Sequence, residues 1–138
     1  MTFESITAKL ELIRDNLQRL EALPQATFAE FNADFRNLDS ALHRLQTTIQ
    51  ALIDIASYLV SVRGLGVPRT SVEALEKLEN AQLLPLGSVE RFTPIVGFRN
   101  RVVHLYDRID PQIVHRILTT NRGDLKDLGA LLVAALSK

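Results

Sequence analysis

An all-α fold is predicted for this 138-residue chain from three features of the sequence. Apolar residues recur every three or four positions along most of it, as one buried helix face requires. No segment alternates apolar and polar residues in the manner of a half-buried strand. The six glycines and five prolines are few and clustered, mostly between the periodic runs. The expected architecture is an up-and-down bundle of five or six helices, one domain over residues 1–138. A chain of this length buries roughly two-thirds of its extended surface on folding, enough for one core without staples.

The first run, Ile6, Leu10, Ile13, Leu17 and Leu20, ends at Pro24. Thr27-Phe28-Ala29-Glu30 reads as a capping box opening a second helix. Leu38, Leu42, Leu45, Ile49, Leu52, Ala56 and Leu59 carry its stripe, and Gly64 and Gly66 close it. Unbroken from Phe28 to Arg63, that helix would be about 54 Å long. Such a length exceeds a compact domain of radius of gyration about 14 Å, so either a bend near Asn32 or an elongated bundle, such as a dimer, is expected. A second capping box, Thr70-Ser71-Val72-Glu73, opens a short helix through Leu75 and Leu78, and Pro85 and Gly87 punctuate its end. Val89, Phe92, Ile95, Val96, Val102 and Val103 continue at helical spacing despite Pro94 and Gly97, which predicts a kink or a helix starting at Pro94. Asp110-Pro111 starts the next helix, with Ile113, Val114, Ile117 and Leu118. After an interruption at 121–123, Asp124 is the expected cap of a last run from Leu125 to Leu136.

Composition narrows the function classes. Lys+Arg and Asp+Glu balance at 16 each, which argues against a protein that coats nucleic acid through bulk charge. Zero cysteine excludes disulfides, thiolate metal sites and a cysteine nucleophile. The opening Met1-Thr2-Phe3-Glu4 lacks a signal-peptide pattern and no 18-residue apolar window is seen, so a cytoplasmic location without membrane contact is expected. There is no phosphate-binding glycine loop, since Gly64-Leu65-Gly66 follows no strand. His43, His104 and His115 do not cluster, and neither metal nor other cofactor is expected. His43 and His115 read as surface or flanking residues.

The segment from Phe98 to Tyr106 stands apart. Arg99 interrupts the apolar seam of Ile95, Val96, Val102 and Val103, so its charge must be paired, solvated in a cleft, or turned toward another chain. Asn100 and His104 form an i, i+4 pair on the neighbouring stripe, and Tyr106 returns to the face of Arg99. Arginine offers a fixed cation and a donor fork matched to phosphate oxygens, and histidine moves protons near neutral pH. With a ribose 2′-hydroxyl as internal nucleophile, the two make a minimal metal-free ribonuclease site. They point about 140° apart on an ideal helix, so the long arginine arm, a kink or a second subunit must bring them together. Asp54, an acid inside an apolar run, is a candidate partner for Arg99 or Arg101.

The signature Val96-Gly97-Phe98-Arg99-Asn100-Arg101-Val102-Val103-His104-Leu105-Tyr106, with Ile53-Asp54-Ile55-Ala56 and the Pro68 to Leu78 element, resembles the HepT-like toxins of the HEPN superfamily. The resemblance covers nearly the whole chain. It implies a HEPN-like two-fold homodimer and a metal-independent endoribonuclease toxin of a type II toxin-antitoxin system, acting on RNA. Arg99 and His104 of an Arg-x4-His motif would be catalytic, with Asn100, Arg101 and Asp54 supporting. The signature helices would meet across the two-fold axis, so that two copies of each residue line one cleft. The implied partner is a minimal nucleotidyltransferase antitoxin, and Tyr106 is similar to the tyrosine that such partners modify with AMP. The competing reading is a non-catalytic nucleotide- or substrate-binding subunit of a nucleotidyltransferase complex. Within the neutral chain, residues 91–108 hold Arg91, Arg99, Arg101 and Arg108 against Asp107 alone, a local basic segment.

Overall fold

The computed structural model describes the backbone of residues 2–105 and 108–138 and, Phe3 and Leu105 aside, their side chains. Among the described residues there are seven helices and no strand: α1 Phe3–Ala22, α2 Phe28–Asn32, α3 Phe35–Val62, α4 Ser71–Asn80, α5 Ser88–Leu105, α6 Pro111–Thr120 and α7 Arg122–Leu136. The expected all-α class is met, with seven helices in place of five or six.

The extra helix comes from a break in the run from Phe28 to Arg63. Thr27 caps α2 by accepting the Glu30 amide at 3.1 Å. Two residues beyond Asn32, Asp34 caps α3, its Oδ1 accepting the Arg36 amide at 2.9 Å while the Arg36 guanidinium donates to both carboxylate oxygens. These bonds from the Arg36 side chain, then its amide, hold the Asp34 carboxyl below its ordinary pKa. Asn37 donates to the Phe31 carbonyl and closes α2, whose Phe31 is fully buried. A local cap has outcompeted the continuing apolar period. The central helix is thereby shortened to 28 residues, about 42 Å at 1.5 Å per residue.

That central helix, α3, touches all six others. Leu42, Leu45, Ile49, Leu52, Ile55 and Leu59 lie buried along it. By length and composition α3 could cross a membrane, contrary to the expectation from the sequence, but half of its most apolar window is packed inside the bundle. It is the core helix. At its end Gly64, at φ +65°, lets the Leu65 amide return to the Val60 carbonyl at 3.0 Å.

Helix α5 neither starts at Pro94 nor stops there. It begins at Ser88, where the Val89 amide donates to Glu79 Oε1 on α4 at 2.8 Å. Pro94 removes one helical donor, a loss of about 3 kcal/mol in a helix interior. Phe92, Ile95, Val96, Phe98 and Val102 are all buried on either side of it, each contributing about 1.5–3 kcal/mol when fully buried. Burial therefore carries the helix through the proline.

Asp110 caps α6, with Pro111 in its first turn. Asp124 does not cap α7. That helix starts at Arg122, and Asp124 sits in its first turn, accepting from Asn121 at 2.9 Å and from Arg91 Nε at 3.0 Å. Of the two readings for His115, surface or flanking, the flanking one holds. His115 is half-buried between Phe28 and Phe31, with ring centroids 5.7 and 5.4 Å away, and its Nε2 lies 2.9 Å from the Gln25 carbonyl. Since a carbonyl only accepts, that nitrogen carries the proton. His43 is exposed, as expected.

One buried group lacks a partner. Thr48, on the fully buried side of α3, has a hydroxyl without a hydrogen bond among the described residues. Thr48→Val removes that desolvated hydroxyl at nearly constant shape and should stabilise the protein by about 1 kcal/mol. Urea unfolding should show a raised midpoint at unchanged m value; a lowered midpoint would mean the hydroxyl is satisfied in solution.

Candidate active site

The site grows from a polar stripe on the most buried helix. Gln50, Asp54 and Ser57 are spaced four and three apart, so they share one face of α3. That face is turned toward α5, where Phe98 and Val102 bury their side chains and leave Arg99 half-buried beside them. The Arg99 guanidinium donates to the Gln50 carbonyl oxygen from Nε at 3.0 Å and again from Nη2, and its Nη1 donates to Asn100 Oδ1 at 2.9 Å. Gln50 in turn donates through Nε2 to Asp54 Oδ1 at 2.8 Å, and the other Asp54 oxygen takes Lys9 of α1 at 2.9 Å.

This chain corrects the expected pairing of Asp54. The acid contacts neither Arg99 nor Arg101; its salt bridge is to Lys9, and an uncharged glutamine stands between it and Arg99. The guanidinium is thus oriented by two neutral oxygens, and among the described residues no carboxylate compensates its charge by direct contact. Two of its five N–H donors remain for a ligand. A half-buried cation in that condition has donors free to meet an anion.

Three further polar residues of the signature face outward. Asn100, Arg101 and His104 are exposed, and Val103 beside them is 52% exposed although apolar. Asn100 touches Arg99 and lies one turn before His104, so it joins the two stripes of α5. Arg99 and His104 themselves make no hydrogen bond to one another among the described residues, and one chain alone does not unite them. Tyr106 lies outside the described residues. Arg91 leaves the expected basic segment, because Asp124 and Asp127 of α7 hold it at 2.9 and 2.5 Å. The hydrogen bonds it donates to Asp127, then to Asp124, raise its pKa further above the ordinary arginine value.

Arg99 and Asn100 also line a polar cleft of about 400 Å³, together with Ser57 of α3, Arg69 and Thr70 of the α3–α4 connection and Ser71 of α4. The sequence reading missed Gln50, Ser57, Arg69 and Ser71. The spacing of Gln50, Asp54 and Ser57 on an otherwise apolar helix was the available signal. No cluster of three or more His, Asp or Glu side chains suited to a metal is found among the described residues.

A family model for ribonuclease HepT-like proteins matches residues 13–130, a span that contains the α3 stripe and the α5 signature. The chain belongs to the HepT-like family. Among curated relatives, it is 33% identical over 109 residues to the tRNA nuclease HepT of Aphanizomenon flos-aquae, covering 79% of this chain and 74% of the relative. It is 26% identical over 121 residues to the mRNA nuclease HepT of Shewanella oneidensis, covering 88% and 90%. Among solved structures, the tri-AMPylated Shewanella oneidensis HEPN toxin, in complex with its MNT antitoxin, superposes with a TM-score of 0.82 at 25% identity. That superposition covers 97% of this chain and 99% of the toxin. Family membership and the all-helical HEPN-like fold implied by the signature therefore hold.

Proposed function

We propose that this protein is a metal-independent endoribonuclease toxin, working as a two-fold dimer from the cytoplasm and neutralised by a minimal nucleotidyltransferase antitoxin. The observation that carries the reading is the uncompensated Arg99 guanidinium, held by Gln50 and Asn100 beside the exposed face that bears His104. Membership of a ribonuclease family, and relatives named as nucleases of tRNA and of mRNA, support the reaction class. Exposed, apolar Val103 between Asn100 and His104 suits a helix face that is covered by a second α5.

The reaction needs no redox step. One His104 takes the proton of a ribose 2′-hydroxyl as its oxygen attacks the adjacent phosphorus. The bond from phosphorus to the 5′-oxygen breaks, and the His104 of the second chain gives that oxygen a proton. Arg99 stabilises the charge that builds on the phosphoryl oxygens. Asn100 fixes the guanidinium, Arg101 adds positive potential at the exposed face, and Asp54 acts through Gln50. Products carry 2′,3′-cyclic or 3′-phosphate ends.

Neutralisation follows from the same charge logic. The Tyr106 hydroxyl attacks the α-phosphorus of ATP in the partner's active site, pyrophosphate leaves, and the new phosphodiester occupies the cation that RNA needs. The Shewanella oneidensis toxin bears such AMP groups in its antitoxin complex.

Purified protein in excess EDTA should cleave RNA, and Arg99→Ala or His104→Ala should each lower the rate at least about a hundredfold, the scale of one general acid–base group. Full cleavage by the His104→Ala protein would remove the assignment. Incubation with the partner nucleotidyltransferase and ATP should add AMP to the wild type, seen as a mass increase, and leave Tyr106→Phe active as a toxin. Equal modification and neutralisation of Tyr106→Phe would place the acceptor elsewhere.

A further inference from the structure

Two arginines face one cleft. Arg69 and Arg99 both line the polar space between α3, the α3–α4 connection and α5, and neither has a carboxylate partner among the described residues. Like charges in one concavity destabilise each other unless an anion sits between them. Arg99 is committed on one side to Gln50 and Asn100, whereas Arg69 makes no hydrogen bond among the described residues. The Thr70 hydroxyl is spent on the Glu73 amide, but those of Ser57 and Ser71 have no partner among the described residues. The lining is thus rich in donors and cations and holds no carboxylate. Asn100 forms part of the cleft wall and stands one helical turn from His104, so the cleft adjoins the face of α5 that bears His104.

We propose that the cleft is a second phosphate subsite, which takes the backbone phosphate next to the scissile one in a bound RNA strand. Arg69 is its cation, and the hydroxyls of Ser57 and Ser71 are its neutral donors. The inference rests on the ribonuclease reading, and it adds a binding residue outside the signature of α5. Phosphodiester chemistry could also be supplied by a free mononucleotide, so the probes must separate the two.

Binding is measured by fluorescence anisotropy of a labelled oligoribonucleotide on the His104→Ala protein, which keeps the RNA intact, across a series of KCl concentrations. Adding Arg69→Gln should weaken binding about tenfold at low salt and reduce the slope of log K against log salt by about 0.7 per engaged site, as loss of one phosphate contact to a single strand requires. Arg69→Lys should restore the slope. Unchanged affinity and slope in Arg69→Gln would overturn the proposal, as would a loss confined to AMP binding with RNA affinity intact. A wild-type protein that fails to cleave RNA would defeat the ribonuclease reading instead, while the binding comparison still reports on the subsite.

Discussion

The packing of α3 against all six other helices is the constraint from which the rest follows. A helix touched by six others is apolar where they cover it, and a polar side chain turned into those contacts costs free energy unless it finds a partner there. Gln50 and Asp54 meet that demand by bonding to each other, to Lys9 of α1 and to Arg99 of α5. The polar exception in the core thus fixes the arginine that the signature helix presents. Packing and site geometry are one arrangement here, because α5 can hold Arg99 against Gln50 only while Phe98 and Val102 fill the space beside it.

The identity of the residue at position 50 matters more than its shape. A carboxylate there would orient Arg99 equally well, yet it would cancel the charge that an RNA phosphate is to meet. A glutamine oxygen orients without neutralising. Asp54 lies one step further away with its charge directed at Lys9, so the acid stabilises the relay without competing for the ligand. The same economy appears at Arg91, where two aspartates retire a cation that is not needed near the cleft. Overall neutrality therefore coexists with local positive charge at Arg99, Arg101 and Arg69; the sequence shows the basic segment of residues 91–108 but not that Arg91 is paired out of it.

Local signals were legible in the sequence and long-range ones were not. The capping threonines 27 and 70 and the Asp110-Pro111 start are set by residues within one turn, and each stands where expected. The break at Asp34 was missed as a helix start because the apolar period runs on across it, although the expected bend near Asn32 falls at the right place. The alternative of a helix starting at Pro94 failed because the proline's intrinsic cost is local, whereas the burial that outweighs it depends on α3, α4 and α7. Asp54 was flagged for its charge, but its partner, Lys9, is 45 residues away and no periodicity announces it. Gln50 escaped notice for the opposite reason: an uncharged residue draws no attention in a search for ionisable groups. The AMP acceptor expected at Tyr106 comes from the family resemblance alone.

The claim that Arg99 works because it is anchored yet uncompensated is tested most directly by Gln50→Glu, a change of one atom type at the anchor. RNA cleavage and the affinity for a 2′-O-methyl oligoribonucleotide should be measured together with the unfolding midpoint. The account predicts a folded protein, destabilised where the new carboxylate loses the bond to Asp54 and repels it, with RNA affinity and cleavage each reduced about tenfold or more, the scale of one charge-assisted contact. Wild-type affinity and cleavage in a folded Gln50→Glu protein would contradict it.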